Sequence, residues 1–293
     1  MIYMSLKGWI VYNGFLNSDK FLDFAQMFQD AAIDKGHDVT LFTNEQLMNL
    51  ISNTAWTHNK PDYLIFTDKD IYLAKQLELN GIRVFNQADV IEVSDDKIKT
   101  YQLLDANHIA IPKTIVAPKT YLGTTAFTDD WINHVIDTLH FPMVIKEAFG
   151  SFGEQVYLVH DREQLLAQLK TVKEPFMFQE FIESSYGKDI RIQVVGKRVV
   201  AAMLRQSKDD FRANITSGGQ MKPYQPTREE ADAAIKASLA IGADFSGVDI
   251  LFGHNNKPIV CEVNSNAHIR NLLDCTGINA AIPIIEYIEE TVK

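Results

Sequence analysis

Two short apolar runs near the end of the chain, residues 248–252 and 259–264, each carry an acidic residue among hydrophobic neighbours. A pair of asparagines between them indicates a tight turn, so the two runs are predicted to form a β-hairpin. That turn places Asp249 directly opposite Glu262, with about 4.5–5.5 Å between Cβ atoms, where two like charges destabilise the pair. The hairpin therefore needs a positive partner for this pair, and that need constrains the rest of the fold.

Asn264 joins the acidic pair, because side chains alternate along a strand and it shares a face with Glu262. A hard divalent cation removes the conflict between the charges, and Mg²⁺, with few protein ligands and bridging phosphates, fits these three side chains. The alternative is the solvent-facing side of an edge hairpin, and a three-residue turn would break the register. Cys261 is expected to point away from this face and into the core.

The first 93 residues alternate apolar runs with segments of helical spacing, which predicts repeated βα units and a parallel sheet. The strands are expected at residues 8–13, 39–42, 63–66 and 82–85. No GxGxxG motif follows the first strand, so the dinucleotide fingerprint is absent. Asn13, at the end of that strand, is either part of a turn or a substrate contact, since open α/β sheets bind ligands at this edge.

Ser94 is predicted to cap the next helix, and the first domain boundary is placed just before it. From residue 141 onward the pattern changes to strands joined by hairpins, which indicates an α+β unit with mostly antiparallel strands. Three domains are predicted, over residues 1–93, 94–182 and 183–293.

Lys146 ends an apolar strand, where a charged amine costs desolvation free energy unless it meets an anion. The loop over residues 150–153, Gly-Ser-Phe-Gly, follows closely. Its small residues let backbone N–H groups approach phosphate oxygens. An ordinary hairpin with an edge lysine is the alternative interpretation.

Two further segments are compatible with a nucleotide site. Residues 179–182, Gln-Glu-Phe-Ile, alternate polar and apolar positions, so the backbone can read adenine while carboxylates read the amine and ribose. The alternative is a core strand with solvated glutamates. Arg212, in a polar loop with Asn214, can clamp a phosphate with two parallel hydrogen bonds, or it is simply a loop residue.

Taken together and in this order, these elements resemble the ATP-grasp superfamily, and most closely its RimK-like ligases. The match runs from about residue 94 to 275, through Asp96-Lys97, Lys146, the glycine loop, Gln-Glu-Phe-Ile, Asp-Ile-Arg, Asp-Phe-Arg-Ala-Asn, Gly-Val-Asp and Glu-Val-Asn. The resemblance implies an α/β N-terminal domain followed by α+β ATP-grasp domains. It also implies that the nucleotide lies between two antiparallel-sheet subdomains.

The resemblance also implies roles for single residues. Its nucleotide-binding set is Lys97, Lys146, Gly150, Ser151, Gly153, Gln179, Glu180, Phe181, Ile182, Asp189, Arg212 and Asn214. Its catalytic set, which faces the phosphates and the reacting acyl group, is Lys146, Arg212 and Asn214. Its metal set, for two Mg²⁺ ions with Mn²⁺ as a substitute, is Asp249, Glu262 and Asn264.

Four more residues are singled out with less defined roles. Arg191 and Arg205 are expected to contact carboxylates or phosphates. Glu154 departs from the family pattern, because an acid beside phosphates is unfavourable unless it points outward or meets a cation. His268 is either a structural histidine or a contact to the acceptor substrate.

The implied activity is that of an ATP-dependent carboxylate–amine ligase. A carboxylate attacks the γ-phosphoryl group to give an acyl phosphate and ADP, and an amine then displaces phosphate to form an amide. The expected substrates are a small-molecule or peptide carboxylate and an amine, with glutamate suggested by the resemblance alone. A kinase-type phosphotransferase and a non-catalytic nucleotide-binding regulatory module remain as alternatives.

Composition narrows the expected partners. With 28 basic and 38 acidic residues the chain has a formal net charge of −10, which disfavours nucleic acid and anionic membranes. No apolar run approaches the roughly 20 residues that span a bilayer. Two cysteines in 293 residues suit a reducing cytoplasm. The oligomeric state is left open, a homo-oligomer included.

Overall fold

A computed structural model of the chain describes residues 5–48, 51, 60–119, 127–150, 153–172, 175–213 and 219–292. The first unit contains strands β1 (Lys7–Tyr12), β2 (Asp38–Thr43), β3 (Tyr63–Phe66) and β4 (Val84–Phe85), with helices α1 (Asp19–Asp34), α2 (Ile71–Leu79) and α3 (Ala88–Asp95). The strands pair in parallel in the order β2-β1-β3-β4. The parallel sheet predicted for this region is confirmed.

Helix α1 begins at a serine cap. The Ser18 side chain accepts a hydrogen bond from the backbone N–H of Lys20, and the helix presents Phe24 and Phe28 to the core beneath β1. Gly36 follows the helix end with a φ of +84°, a conformation that only glycine adopts without strain.

The predicted cap at Ser94 is wrong. Ser94 lies inside the last turn of α3, where its hydroxyl meets the Ser265 hydroxyl at 2.6 Å. Asp96 is the cap instead, because its carboxylate accepts hydrogen bonds from the backbone N–H groups of Ile98 and Lys99 at 2.9 and 3.2 Å. These bonds open helix α4 (Lys97–Ala106). Aspartate and serine are equally good caps, so the serine's contact with Ser265 decides between them.

The second unit is a four-stranded antiparallel sheet. Its strands are β5 (Thr114–Val116), β6 (Met143–Glu147), β7 (Val156–Val159) and β8 (Phe176–Glu180), in the order β5-β8-β6-β7. Helices α5 (Asp129–Leu139) and α6 (Arg162–Leu169) accompany it. Ile145 and Phe178 pair across β6 and β8 at the centre of its core.

The third unit is a five-stranded antiparallel sheet. Its strands are β9 (Lys188–Val195), β10 (Arg198–Gln206), β11 (Gln220–Pro223), β12 (Phe245–Phe252) and β13 (Pro258–Asn264), in the order β11-β10-β9-β12-β13. Its helices are α7 (Arg228–Ala240), α8 (Arg270–Thr276) and α9 (Ala281–Val292). Thr227 and Glu230 form a capping box at the start of α7.

The hairpin of β12 and β13 pairs Asp249 with Glu262, as predicted. The predicted two-residue turn is wrong, because His254–Asn256 form a three-residue turn. Nearer the turn the register is shifted by one residue, which makes Cys261 the extra residue of a β-bulge. The bulge offsets the longer turn, so the acidic pair still comes into register.

Each sheet falls within one of the three predicted domains, whose boundaries stay a prediction. Contacts between α1 and α9 join the first unit to the third. Among the helices of the described residues, none has the length and apolar character needed to cross a membrane.

Candidate active site

A cavity of about 1040 Å³ is lined by residues from all three units of the fold. The predicted site residues that the structure describes all line it, and they are Lys97, Lys146, Gly150, Gly153, Gln179, Glu180, Phe181, Ile182, Asp189, Arg212, Asp249, Glu262 and Asn264. Ser151 and Asn214 lie outside the described residues. The structure therefore brings widely separated segments to one space.

The end of β8 forms a wall of the cavity. Glu180 accepts a hydrogen bond from the backbone N–H of Lys113 through Oε1 at 2.8 Å, and Gln179 donates to the Thr114 hydroxyl at 2.8 Å. Phe181 meets two further aromatic rings edge-on, each with centroids 6.1 Å away. The two polar side chains thus hold the neighbouring strand β5, and the surface left for a flat ring is apolar.

Lys146 is buried in the cavity wall, with 9% of its surface exposed. Its Nζ donates to the Tyr101 hydroxyl at 3.2 Å and lies 3.6 Å from the Cys261 sulfur. Burial alone lowers the pKa of Lys146, but the acidic Cys261 and Tyr101 groups outweigh burial and raise it. The amine is therefore protonated at neutral pH and attracts anions that enter the cavity.

Lys97 connects the start of α4 to the glycine loop. Its Nζ donates to the Gly150 carbonyl at 2.9 Å, and its backbone N–H donates to the Ala148 carbonyl at 2.9 Å. Burial lowers the pKa of Lys97, while the nearby Glu262 carboxylate acts in the opposite direction. This lysine thus lies between the loop and the strand that carries Glu262.

Two arginines neutralise two of the predicted acids. Arg205 bonds both carboxylate oxygens of Asp189 at 2.7 Å, and Arg191 bonds both oxygens of Asp249 at 2.7 Å. Arg205 also lies 2.8 Å from Asp249. Burial alone raises the pKa of Asp249, but the two arginines hold it below its ordinary value. These arginines are the positive partners of Asp249 in the facing pair.

Asn264 completes the predicted metal set. It lies opposite Gly247, and its Nδ2 donates to the Gly247 carbonyl at 3.4 Å, so the side-chain oxygen is the atom left for a cation. Within the described parts of the chain, no three His, Cys, Asp or Glu side chains form a metal-holding group. The candidate set is instead two carboxylates and one amide, Asp249, Glu262 and Asn264.

Arg212 holds the far side of the glycine loop. It donates from Nη1 to the Gly153 carbonyl and pairs with Asp210 at 2.8 Å. Burial raises and the Arg212 guanidinium lowers the pKa of Asp210, with a net decrease. Glu154, the departure from the family pattern, is exposed and is not among the residues that line the cavity.

The expectation for Cys261 is wrong. It lines the cavity beside Glu262 and lies close to the Lys146 amine, instead of pointing away into the core. Strict alternation predicts opposite faces for neighbouring residues, but a bulge interrupts alternation at this position.

The sequence reasoning missed Lys20, Asp68 and Arg270, which line the cavity end next to the parallel sheet. Asn266 and His268 line it too, and both belong to the polar segment after Asn264 that the sequence suggests for the acceptor site. The His268 ring packs 4.7 Å from that of Phe24. Asp68 carried a usable signal, because it closely follows β3 at the ligand-binding edge of an open α/β sheet. Lys20 lies half-buried in the first turn of α1, where charge is common in any helix and carries no such signal.

Known proteins similar in sequence include members of the family that the motifs resemble. The sequence model of the RimK-like ATP-grasp domain matches residues 94–288. A protein of Mycoplasma pneumoniae, described as an uncharacterized protein MG012 homolog, is 31% identical over 95% of this chain and 98% of its own length. A probable alpha-L-glutamate ligase of Syntrophotalea carbinolica is 33% identical over 96% of both chains.

Solved structures give the same fold at low identity. D-alanine–D-alanine ligase from Bacillus anthracis, complexed with ATP, superposes with a TM-score of 0.74 at 16% identity, over 98% of this chain and 97% of the other. A RimK domain ATP-grasp protein from Sphaerobacter thermophilus gives 0.70 at 17% identity, over 96% and 98%.

Three sheets around one charged cavity thus form the ATP-grasp fold, as the motifs predicted. The chain belongs to the RimK-like ATP-grasp family, a family of ATP-dependent carboxylate–amine ligases that form carbon–nitrogen bonds.

Proposed function

We propose that this chain joins a carboxylate substrate to the amine of an amino acid, with L-glutamate as the first candidate amine. The observation that carries the proposal is one cavity lined by Lys97, Lys146 and Arg212 together with the Asp249–Glu262 pair. Positioned positive charge of this kind is what phosphoryl transfer needs from a protein, because little covalent chemistry is left to side chains.

The proposed reaction has two steps. An oxygen of the substrate carboxylate attacks the γ-phosphorus of ATP, the bond to ADP breaks, and an acyl phosphate forms. The amine then attacks the acyl carbon and phosphate leaves with the bonding electrons. Lys97, Lys146, Arg212 and Asn214 are proposed to hold the phosphates and the acyl group.

The nucleotide is proposed to lie along the wall at the end of β8. Adenine would rest against Phe181 and Ile182, where the surface is apolar, with the ribose near Asp189. Gly150, Ser151 and Gly153 would cover the phosphates as a lid, which Lys97 and Arg212 hold from opposite ends. A closed lid is useful here because water destroys acyl phosphates.

The residues present fit Mg²⁺. Carboxylate and amide oxygens are hard donors, and Mg²⁺ takes few protein ligands because phosphate oxygens complete its coordination. Asp249, Glu262 and Asn264 are proposed to hold two ions, with Mn²⁺ able to substitute. When bound, the metal supplies neutralisation of phosphate charge. Arg191 and Arg205 keep the Asp249 carboxylate ionised and oriented.

The choice of L-glutamate is supported by relatives whose names describe probable alpha-L-glutamate ligases. The acid that receives it is proposed to be a small molecule or a peptide. We also place the protein in the cytoplasm, because neither of its two cysteines is in a disulfide.

The test is an assay with ATP, Mg²⁺, L-glutamate and a panel of carboxylates that includes L-glutamate itself, read as ADP, phosphate and amide product by mass spectrometry. Phosphate release that requires both acid and amine supports the ligase. A stable phosphorylated product indicates a kinase-type phosphotransferase instead. Tight ATP binding without turnover on any acid indicates a regulatory module.

A further inference from the structure

Acceptor atoms converge at the cavity end formed by the parallel sheet. Asn13, just after β1, donates from Nδ2 to both carboxylate oxygens of Asp68, at 3.1 and 3.3 Å. Asn266, just after β13, donates from Nδ2 to the backbone carbonyl of Asp68 at 2.7 Å. All three residues line the cavity. Asn13 thus orients the carboxylate of Asp68, and Asn266 of the third unit holds the Asp68 backbone.

One of these acceptor atoms lacks a donor. The Oδ1 of Asn266 is buried and has no hydrogen-bond partner among the described residues. Flipping the amide does not help, because it would turn the oxygen toward the Asp68 carbonyl and lose the 2.7 Å bond. A buried acceptor without a donor costs about 1–3 kcal/mol, so this atom indicates a donor that arrives from the cavity.

The Asp68 carboxylate indicates the same kind of ligand. The nearest positive charge along the chain, on Lys69, pairs with another carboxylate, that of Asp95. An acidic side chain and an unsatisfied amide oxygen on one cavity wall call for a group with several N–H bonds and a positive charge. An ammonium group has both properties, whereas a carboxylate or a phosphate would be repelled.

We infer that Asp68 and Asn266 bind the amino group of the acceptor substrate and that Asp68 takes the proton this group must lose. The inference rests on the proposed ligase function. An ammonium R–NH₃⁺ gives one proton to the Asp68 carboxylate, and the free amine then attacks the acyl phosphate. The C–N bond forms, the C–O bond to phosphate breaks, and the second amine proton leaves with the phosphate.

The environment of Asp68 suits this role. Burial raises the pKa of Asp68, and the nearby Asp70 charge acts in the same direction, against the hydrogen bonds from Asn13 and the backbone N–H groups of Lys69 and Asp70. A raised pKa brings a carboxylate closer to the range in which a general base works at neutral pH.

Hydroxylamine separates this role from the first step of the reaction. It is neutral near physiological pH and traps an acyl phosphate as a hydroxamate, so it needs no base. Wild type, Asp68→Asn and Asp89→Asn are compared with ATP, Mg²⁺, the carboxylate panel, and either hydroxylamine or each of the common amino acids as the amine. Asp89 is an exposed carboxylate paired with Lys75, so its variant removes the same charge away from the cavity.

The expected result is that Asp68→Asn keeps the wild-type rate of hydroxamate formation while its amide formation falls about 100-fold. Asp89→Asn should keep both rates. Amide formation by Asp68→Asn at the wild-type rate would overturn the inference, and so would an equal loss of both products, which would give Asp68 a structural role only. A wild-type protein that forms neither product overturns the proposed function itself.

Discussion

The ammonium of Lys146 and the hydroxyl of Tyr101 lie 3.2 Å apart, and this hydrogen bond joins β6 of the four-stranded sheet to α4. The same hydroxyl donates to the backbone carbonyl of Cys261 at 2.5 Å, in the bulge of β13. Tyr101 is 3% exposed, so water does not replace it. One phenol thus connects the lysine proposed for ATP with the strand proposed for the metal.

Replacing Tyr101 by phenylalanine is expected to weaken ATP binding about 10-fold, because the hydroxyl that positions the Lys146 ammonium is lost. Isothermal titration with ATP and Mg²⁺ measures this change. Tyr157→Phe is the matched control, since that hydroxyl bonds Glu147 at 3.1 Å outside the cavity. Lys146→Ala should weaken ATP at least as much, and an unchanged affinity in both cavity variants would remove this pair from the site.

Glu262→Gln and Asp249→Asn are both expected to lower turnover, but only one of them is expected to lower stability. Each should lower turnover at least about 100-fold, because metal-bound charge stabilisation contributes several kcal/mol. Only Asp249→Asn should also lower the free energy of unfolding, by about 3 kcal/mol, since it leaves the buried Arg205 and the partly buried Arg191 short of a partner. Steady-state rates and urea denaturation test the two effects separately. Equal stability of both variants would contradict the proposed importance of the arginine pairs.

Gly187→Ala is expected to disturb the loop that carries Arg212. Gly187 has a φ of +62°, and an added Cβ would lie 2.6 Å from the Ser207 carbonyl oxygen. Gly36→Ala is the control, because its φ is +84° but nothing lies within 4 Å of the added atom. Thermal denaturation should show a loss of about 1 kcal/mol for the control and clearly more for Gly187→Ala, with lower ligase activity only in the latter. Equal losses of stability in the two variants would show that the loop around Ser207 moves to accept the added Cβ without cost.

Acid should destabilise the fold through His268. Burial, helped by the positive charges of Lys20 and Arg191, lowers the pKa of His268 from 6.5 to about 4. Between those two values the unfolded chain binds the proton and the folded chain does not, so stability is present above pH 6.5 and falls as pH drops toward 4. Urea midpoints at about pH 7 and about pH 5 measure this loss. His268→Phe should show a smaller loss, and an identical loss would assign the effect to other groups.

The sequence predicted the parts of the fold that depend on local pattern. The four parallel strands follow from apolar runs between helical segments, and the pairing of Asp249 with Glu262 follows from a hairpin with acids on facing strands. No helix was predicted for the segment that forms α5. Its cap, Thr128, is a residue type that could have indicated the helix start.

The arginine network illustrates what local pattern leaves undetermined. A two-residue turn at residues 196–197 alone sets Arg205 opposite Lys188, but a bulge near residue 200 moves it opposite Asp189. The ion pair between them therefore depends on one irregular residue that composition does not reveal. The contact of Asn266 with Asp68 joins positions 198 residues apart, and only the packing of the units creates it.

The bulge at Cys261 also gives the last hairpin tolerance to changes in length. In a regular hairpin, inserting or deleting one residue at the tip slips the pairing and turns every side chain of the strand to the other face. Here one spare residue already lies between the tip and Glu262, so a deletion at residues 254–256 can be absorbed by straightening the strand. The turn of this hairpin can therefore lose a residue while Asp249 and Glu262 remain paired.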